Sequence, residues 1–217
     1  VGRAPGEHRG FDPAGVSALL FDLGGVVIGL DFDRVFQLWA ERANCEVDQI
    51  RERFRQDEAY ERHECGELAA TAYFAALRET LGITLSDADF LLGWSHIYLD
   101  PVEGMESLLR AASLRFPIYA FTNSNPSHQA VWSERLRHHL AFFQGVFVSS
   151  ELGLRKPDPR AFSAVAERTG HLPSEILFFD DSPENVDGAE IATMQAVLVR
   201  SVGDVRDALA VLGVEAS

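Results

Sequence analysis

Lysine is almost missing from this chain: of its 19 basic residues, 18 are arginine and one, Lys156, is lysine. Cysteine is nearly as scarce. Cys45 and Cys65 are too few for a disulfide framework, and no basic start followed by an apolar segment and a small-residue cleavage site precedes the fold, so a reducing cytoplasm is the expected compartment. Long apolar runs are missing as well. The longest candidate, Val16 to Leu30, is cut by Asp22, Gly24 and Gly25, short of the roughly 20 residues that a membrane-spanning helix needs. Positive charge is outnumbered, with 33 acidic against 19 basic residues and a net charge of −14. A field of that sign repels nucleic acids and anionic lipid surfaces, which argues against both as partners. It is also wrong for an anionic substrate, which local cations would have to capture. No GxGxxG follows a strand, so Gly24 and Gly25 do not form a dinucleotide fingerprint.

What is present is apolar content enough for a real core, 47% over 217 residues. Residues 1–15, rich in Gly, Pro and charge, read as a tail outside the fold. Short continuous apolar runs then recur: Ser17 to Phe21, Pro117 to Phe121, Val146 to Ser149, Ile176 to Phe179 and Ala196 to Val199. Such runs suit buried strands of a parallel sheet. Helical spacing occupies Val102 to Ala112, Ser127 to His138, Pro159 to Thr169, Pro183 to Ala192 and Val202 to Leu212. The alternation predicts an α/β fold, a Rossmann-like open parallel sheet with right-handed crossovers. One interval breaks the rhythm. From Phe32 to Leu99 the apolar spacing is helical throughout, which predicts a helical cap, residues 31–100, inserted after the first strand of a core made of residues 16–30 and 101–217. With 15 acidic and 7 basic residues from Asp31 to Asp100, this insert is expected to present a solvated acidic face.

Ligands of open parallel sheets bind beyond the carboxyl ends of the strands. Asp22 follows the first run; Thr122, Asn123 and Ser124 follow the second; Asp180 and Asp181 follow the fourth; Lys156 lies in RKPDP, before the helix after the third. Three carboxylates on one edge raise each other's pKa unless a cation joins them, and Mg²⁺, a hard ion that takes oxygen ligands, is the economical choice. Asp22 can then bind metal through one oxygen and attack through the other, while a lysine and a hydroxyl hold the anion attacked. The set fits phosphoryl transfer. A compact ammonium can reach both a nucleophilic carboxylate and a phosphate oxygen, which gives the sole lysine a meaning.

FDLGGVV, FTNS, RKPDPRAF and FFDDSPENVDGA, in that order and each after the appropriate strand, resemble the four motifs of the haloacid dehalogenase (HAD) superfamily of aspartate-dependent phosphohydrolases. DFDRVFQLW, HECGEL and GLRKP make the chain similar, within it, to the α-D-glucose-1-phosphate phosphatase group. The resemblance implies a Rossmann-like core with a helical cap, and a small phosphorylated metabolite as substrate. It implies Asp22 as nucleophile and metal ligand, and Lys156 as catalytic. The Gly24 carbonyl and Asp180 are further implied Mg²⁺ ligands, with Asp181 acting on the metal through water, and Thr122, Asn123 and Lys156 hold the phosphate. There is one departure. The aspartate that most such phosphatases carry two residues after the nucleophile, as general acid and base, is Gly24 here.

Three functional readings remain open: a Mg²⁺-dependent phosphomonoesterase; a metal-independent 2-haloacid dehalogenase, whose members also lack the second aspartate; and a catalytically idle phospholigand-binding relative. For Asp22, Asp180, Asp181 and Thr122 the competing reading is a turn or helix cap. His63, Glu64 and His128 are candidates for facing the substrate, while His138 and His139 read as a solvated helix end. Trp39, Trp94 and Trp132 read as packing residues. Spacing gives no oligomeric state.

Overall fold

A computed structural model describes residues 10–215; residues 1–9 of the expected tail, and 216–217, lie outside the described residues. The chain enters through β1 (Ala18–Phe21), four apolar residues with no exposed surface, turns tightly, and forms the short β2 (Ile28–Leu30). Five helices follow: α1 (Phe32–Ala43), α2 (Val47–Arg53), α3 (Glu58–Glu64), α4 (Ala70–Leu81) and α5 (Asp87–Ser95). The side chains of Asp31, Asp57 and Ser86 accept backbone N–H bonds at the starts of α1, α3 and α5, supplying what the first turn of a helix lacks. Trp39 anchors this helical group. Its ring meets Phe90 and Trp94 edge-on, both at 5.1 Å, and its Nε1 donates to the Phe90 carbonyl at 3.2 Å.

After β3 (Tyr98–Pro101) and α6 (Met105–Ser113), strands and helices alternate: β4 (Ile118–Thr122), α7 (Pro126–Arg135), α8 (Arg137–Leu140), β5 (Gly145–Val148), α9 (Ser149–Leu152), α10 (Pro159–Thr169), β6 (Ile176–Asp180), α11 (Pro183–Ile191), β7 (Gln195–Leu198) and α12 (Val202–Val211). Three helices that leave the strand edge, α7, α10 and α11, begin alike. Asn125, Asp158 and Ser182 cap them and a proline stands in the first turn, where its missing N–H costs nothing. The sheet is parallel throughout, in the order β5-β4-β1-β6-β7. Side chains alternate across it. Leu19, Phe21, Leu177 and Phe179 join one apolar cluster, and Ala18, Leu20, Ile176 and Phe178 the other, which is why these runs are continuously apolar rather than alternating. No helix among the described residues is long and apolar enough to cross a membrane.

Four expectations need correction. Tyr98 to Pro101 is a strand, not the end of a helical stretch: it pairs antiparallel with β2, Leu30 opposite Tyr98 and Ile28 opposite Pro101, across about seventy residues of chain where local spacing carries no signal. Residues 10–15 are not all tail, since Phe11 packs against the larger core cluster and the Asp12 N–H donates to Gln195 Oε1 at 2.7 Å. The helix expected from Ser127 to His138 breaks at Leu136, which is fully buried, into α7 and α8. His139 is buried rather than solvated.

Gly188 sets how closely α11 lies on the loop that carries Lys156. A Cβ there would sit 2.1 Å from the Pro157 carbonyl oxygen. Helix propensity alone favours alanine over glycine by about 1 kcal/mol, whereas overpacking against backbone costs about 1–3 kcal/mol. Gly188→Ala should therefore lower the midpoint of urea unfolding, and a raised midpoint would show that α11 can retreat from the loop.

Candidate active site

Asp22 is the first residue beyond β1, and its N–H extends the ladder by donating to the Phe179 carbonyl at 2.8 Å. Its side chain is aimed locally: Oδ1 accepts from the Leu23 N–H at 2.7 Å and from Lys156 Nζ at 2.9 Å. Oδ2 takes no hydrogen bond among the described residues, and Asp22 lines a cavity of about 390 Å³. The turn beyond it is closed by the Val27 and Ile28 N–H groups, both on the Leu23 carbonyl, and by Gly25 N–H on the Ile28 carbonyl. Gly25 adopts φ +76, and a Cβ there would lie 2.1 Å from Asp181 Oδ2, so glycine is required both by conformation and by the carboxylate packed against it.

Lys156 is 1% exposed and all three of its N–H groups are engaged: by Asp22 Oδ1, by Asp180 Oδ2 at 2.7 Å and by the Phe121 carbonyl at 3.0 Å. The ammonium also lies 5.4 Å from the ring centres of both Phe121 and Phe178. Its backbone is clamped by Asn123, whose Oδ1 accepts from Lys156 N–H and whose Nδ2 donates to the Lys156 carbonyl, both at 2.9 Å. Asp180 is held from the other side by Ser182 N–H at 2.8 Å and Asn185 Nδ2 at 3.0 Å, both on Oδ1. Ligand oxygens of Asp22, Asp180 and Asp181 come within 4.8 Å of one another, a spacing that suits a single cation.

The electrostatics follow from burial. Burial pushes the Asp22 carboxyl up to about 7; Lys156 pulls it down, Asp180 and Asp181 push it further up. Asp181 is raised by burial and by Asp180. Burial works against the Lys156 ammonium, yet Asp180 and Asp22 outweigh it and its pKa is raised. Three carboxylates against one ammonium leave two negative charges, the deficit that a divalent ion with oxygen ligands offsets. On the donor set and the spacing, the residues present fit Mg²⁺.

Asp22, Gly24, Thr122, Asn123, Lys156 and Asp181 line a single cavity and Asp180 lies beside Asp22 and Asp181, so the residues expected to hold metal and phosphate come together. Two are used differently from expectation. Lys156 bridges two carboxylates and a carbonyl, which leaves it no donor for an anion in this state, and the Asn123 side chain spends its Oδ1 and one Nδ2 N–H on the Lys156 backbone, which leaves a single N–H for an anion. From the insert, Glu64 reaches the cavity, as does His128 of α7; His63 does not, being stacked on Tyr73 at 4.7 Å with Nδ1 against the Leu68 carbonyl at 2.8 Å. His128, edge-on to Trp94 at 5.0 Å, is pushed down to about 3 by burial and by His63, and is neutral. Trp39 and Trp94 are packing residues as expected, whereas Trp132, though buried, also lines the cavity and donates to Ser124 Oγ at 3.0 Å.

Sequence reasoning passed over Arg155, Ser149 and Asn185. Arg155 donates through Nε to Glu64 and through Nη1 to Glu61, each at 2.9 Å. Ser149 Oγ accepts from Ser124 N–H at 2.9 Å and donates to the Glu64 carbonyl at 2.6 Å. The signal for Arg155 was its place beside Lys156; Ser149 and Asn185 carried none beyond position.

A family model described as haloacid dehalogenase-like hydrolase matches residues 16–193. The D-ribitol-5-phosphate phosphatase of Bacteroides thetaiotaomicron is 22% identical over 176 residues, which is 79% of this chain and 85% of that protein. A HAD family enzyme from the same organism, solved in complex with magnesium and inorganic phosphate, superimposes with a TM-score of 0.74 at 25% identity, covering 86% of this chain and 95% of that one. The fold is shared also with L-2-haloacid dehalogenase from Xanthobacter autotrophicus, TM-score 0.65 at 21% identity over 90% of this chain and 81% of that one.

Because the folded pKa of Asp22, about 7, lies above its ordinary value of 3.8, ionising Asp22 destabilises the metal-free fold progressively as pH rises between those values. Asparagine keeps an Oδ1 for Leu23 and Lys156 and never ionises. Metal-free Asp22→Asn should therefore melt higher than the metal-free parent near pH 8, with the gap shrinking toward about pH 5. Scanning fluorimetry in chelator measures both, and a gap independent of pH would show that Asp22 ionises without cost.

Proposed function

Since the chain belongs to the haloacid dehalogenase-like hydrolase family, we propose that it is a Mg²⁺-dependent phosphomonoesterase for small phosphorylated metabolites, sugar 1-phosphates foremost, with residues 31–100 as the cap over a core of residues 16–30 and 101–217. The observation that carries this reading is the split use of the Asp22 carboxylate. Oδ1 is fixed by Leu23 and Lys156 while Oδ2 is free at the cavity, as an attacking oxygen must be. Asp22 forms a bond to phosphorus as the ester P–O bond breaks and the alcohol departs; water then hydrolyses the aspartyl phosphate. Thr122 binds the phosphate. Lys156 fixes the nucleophile and Asp180 relative to one another, and Asn123 positions Lys156. Asp22, the Gly24 carbonyl, Asp180 and Asp181 would hold Mg²⁺, which supplies neutralisation of the phosphate charge.

A HAD family enzyme solved with magnesium and phosphate, and a relative named D-ribitol-5-phosphate phosphatase, support the phosphatase part of the reading; the preference for 1-phosphates rests on Gly24 alone. Gly24 favours one rival, the metal-free 2-haloacid dehalogenase, since no acid is needed to expel halide. Against it, a metal-free site leaves Asp180 and Asp181 unbalanced beside Asp22. The deciding experiment is a screen of phosphorylated metabolites, with and without Mg²⁺, beside a chloride-release assay. Chelation should stop turnover and Mg²⁺ restore it; chloride release in chelator would decide for the dehalogenase. Phosphate binding with no turnover of any ester would mark an idle relative.

Lys156→Arg should lose at least about 10²-fold in kcat, because a guanidinium cannot fit the closed space between two carboxylates, a carbonyl and two rings. Parent-like rates in steady-state assays would show that charge alone suffices.

The absent acid gives a further expectation. A Cβ at position 24 would meet Leu30 Cδ1 at 2.7 Å, so Leu30 occupies the space in which an acidic side chain would stand. General acid catalysis contributes about 10²- to 10⁴-fold and helps most with basic leaving groups. Rates should therefore fall steeply with leaving-group pKa, aryl and anomeric phosphates leading and sugar 6-phosphates trailing. In Gly24→Asp combined with Leu30→Ala, which makes room for the carboxyl, the slope should flatten. A flat dependence in the parent would show that another group supplies the proton.

A further inference from the structure

The cavity is short of usable positive charge. Four carboxylates line it, on Asp22, Glu64, Asp181 and Glu184, against two cations, Arg155 and Lys156. Lys156 has no N–H left to offer. Arg155 is held between Glu64 and Glu61, so its charge is already outnumbered. Glu64 has little room to swing aside and release it. Its side chain is 7% exposed, and its own carbonyl is bonded to Ser149 at 2.6 Å. Just beyond, Gly66 comes so close to α9 that a Cβ would lie 2.5 Å from the Ser150 carbonyl oxygen. The insert is thus pinned to the core at the residue that neutralises the guanidinium.

We propose that the Glu64–Arg155 pair is a charge filter in the substrate cavity. It admits monophosphates whose remaining portion is neutral and hydroxylated and rejects those bearing a second anionic group. The proposal rests on the phosphatase reading and narrows it. A hydroxyl can donate to the Glu64 carboxylate or bond with Tyr60 and Gln56, all at the cavity wall. A carboxylate or second phosphate there finds no uncommitted cation among the described lining residues and stands beside the buried Glu64 carboxylate, where like charges are poorly screened and repel. Burial raises the Glu64 pKa against the pull of Arg155 and Tyr60, which marks how poorly this wall tolerates more negative charge. Separating Arg155 from Glu64 to serve a substrate anion would leave a buried carboxylate unpaired.

The test compares pairs matched in size on the Mg²⁺-loaded parent: glycerol 3-phosphate against 3-phosphoglycerate, and glucose 1-phosphate against glucuronic acid 1-phosphate. The neutral member should lead in kcat/KM by a factor on the order of 10² in each pair. In Glu64→Gln the freed guanidinium should narrow that ratio at least about tenfold, mainly through a lower KM for the carboxylated member. The ratio is internal to each variant, so a general loss of rate does not move it. If Glu64→Gln does not fold, Glu61→Gln, which changes the exposed partner of Arg155, should narrow it in the same direction by less. A parent ratio near one, or a ratio unmoved in whichever of these variants folds, overturns the filter while leaving the phosphatase reading intact. No turnover of any of the four esters overturns that reading and the filter with it.

Discussion

One ammonium ties the ends of the three central strands together. Lys156 bonds to Asp22 just beyond β1, to the Phe121 carbonyl within β4 and to Asp180 at the end of β6. Around this point the rest of the site is consistent. Two buried carboxylates that near to each other need a cation, and a cation 1% exposed needs them. The residue must be lysine because the space is closed: rings at 5.4 Å on two sides, a carbonyl, and a backbone clamped by Asn123. A planar fork with five N–H groups would leave donors unsatisfied there. The chain elsewhere places arginines at positions such as Arg51 and Arg137, where a forked cation meets exposed carboxylates and its remaining donors face solvent. That difference in surroundings accounts for a lysine at position 156 in a chain whose other basic residues are all arginine.

This much was legible in the sequence because it is local. Continuous apolar runs report strands buried on both faces, and the residue after each run reports the edge, so Asp22, Thr122, Asn123, Asp180 and Asp181 could be assigned to one place from order alone. Lys156 was singled out by rarity. What stayed hidden is what depends on distant chain. β3 forms only because β2 waits seventy residues earlier, and Phe11 is drawn out of the tail by the core and by Gln195. His139 lies in a charged, helical sequence context indistinguishable from a solvated one, yet it is buried. The Asn123 side chain illustrates a subtler limit. Its place at the cavity could be read from order, but its bonds to the Lys156 backbone could not, since the sequence cannot reveal that an amide at a strand edge also clamps a loop thirty-three residues away.

The insert is coupled to the sheet edge through Glu64 in two ways. Its carbonyl meets Ser149, which in turn receives the N–H of Ser124, two residues beyond Thr122; its carboxylate meets Arg155, the neighbour of Lys156. The loops after β4 and before α10 are therefore braced against the same residue of α3. A helical insert joined to the core only by β2 and β3 could be seated in many ways, and these bonds select one. Selectivity proposed for the cavity and the seating of the insert then have a common cause, because the residue that neutralises Arg155 also holds the insert down.

Asp22 shows why stability and reactivity oppose each other here. A carboxylate that burial and two acidic neighbours push up to about 7 is uncomfortable when ionised, and an uncomfortable anion is a better nucleophile than one saturated with hydrogen bonds. The protein stops short of satisfying it. Lys156 and Leu23 both bond to Oδ1, whereas Oδ2 has no partner among the described residues. A second lysine or an asparagine at Oδ2 would stabilise the fold and occupy the oxygen proposed to attack. The remaining imbalance of two negative charges is what a divalent ion would offset, so the same deficit that weakens the metal-free fold would supply affinity for the proposed Mg²⁺. With Leu30 rather than an acid beside it, the proposed site would activate Asp22 as nucleophile and do little for the leaving group, and the chemistry it would favour is that of esters whose alcohols depart readily.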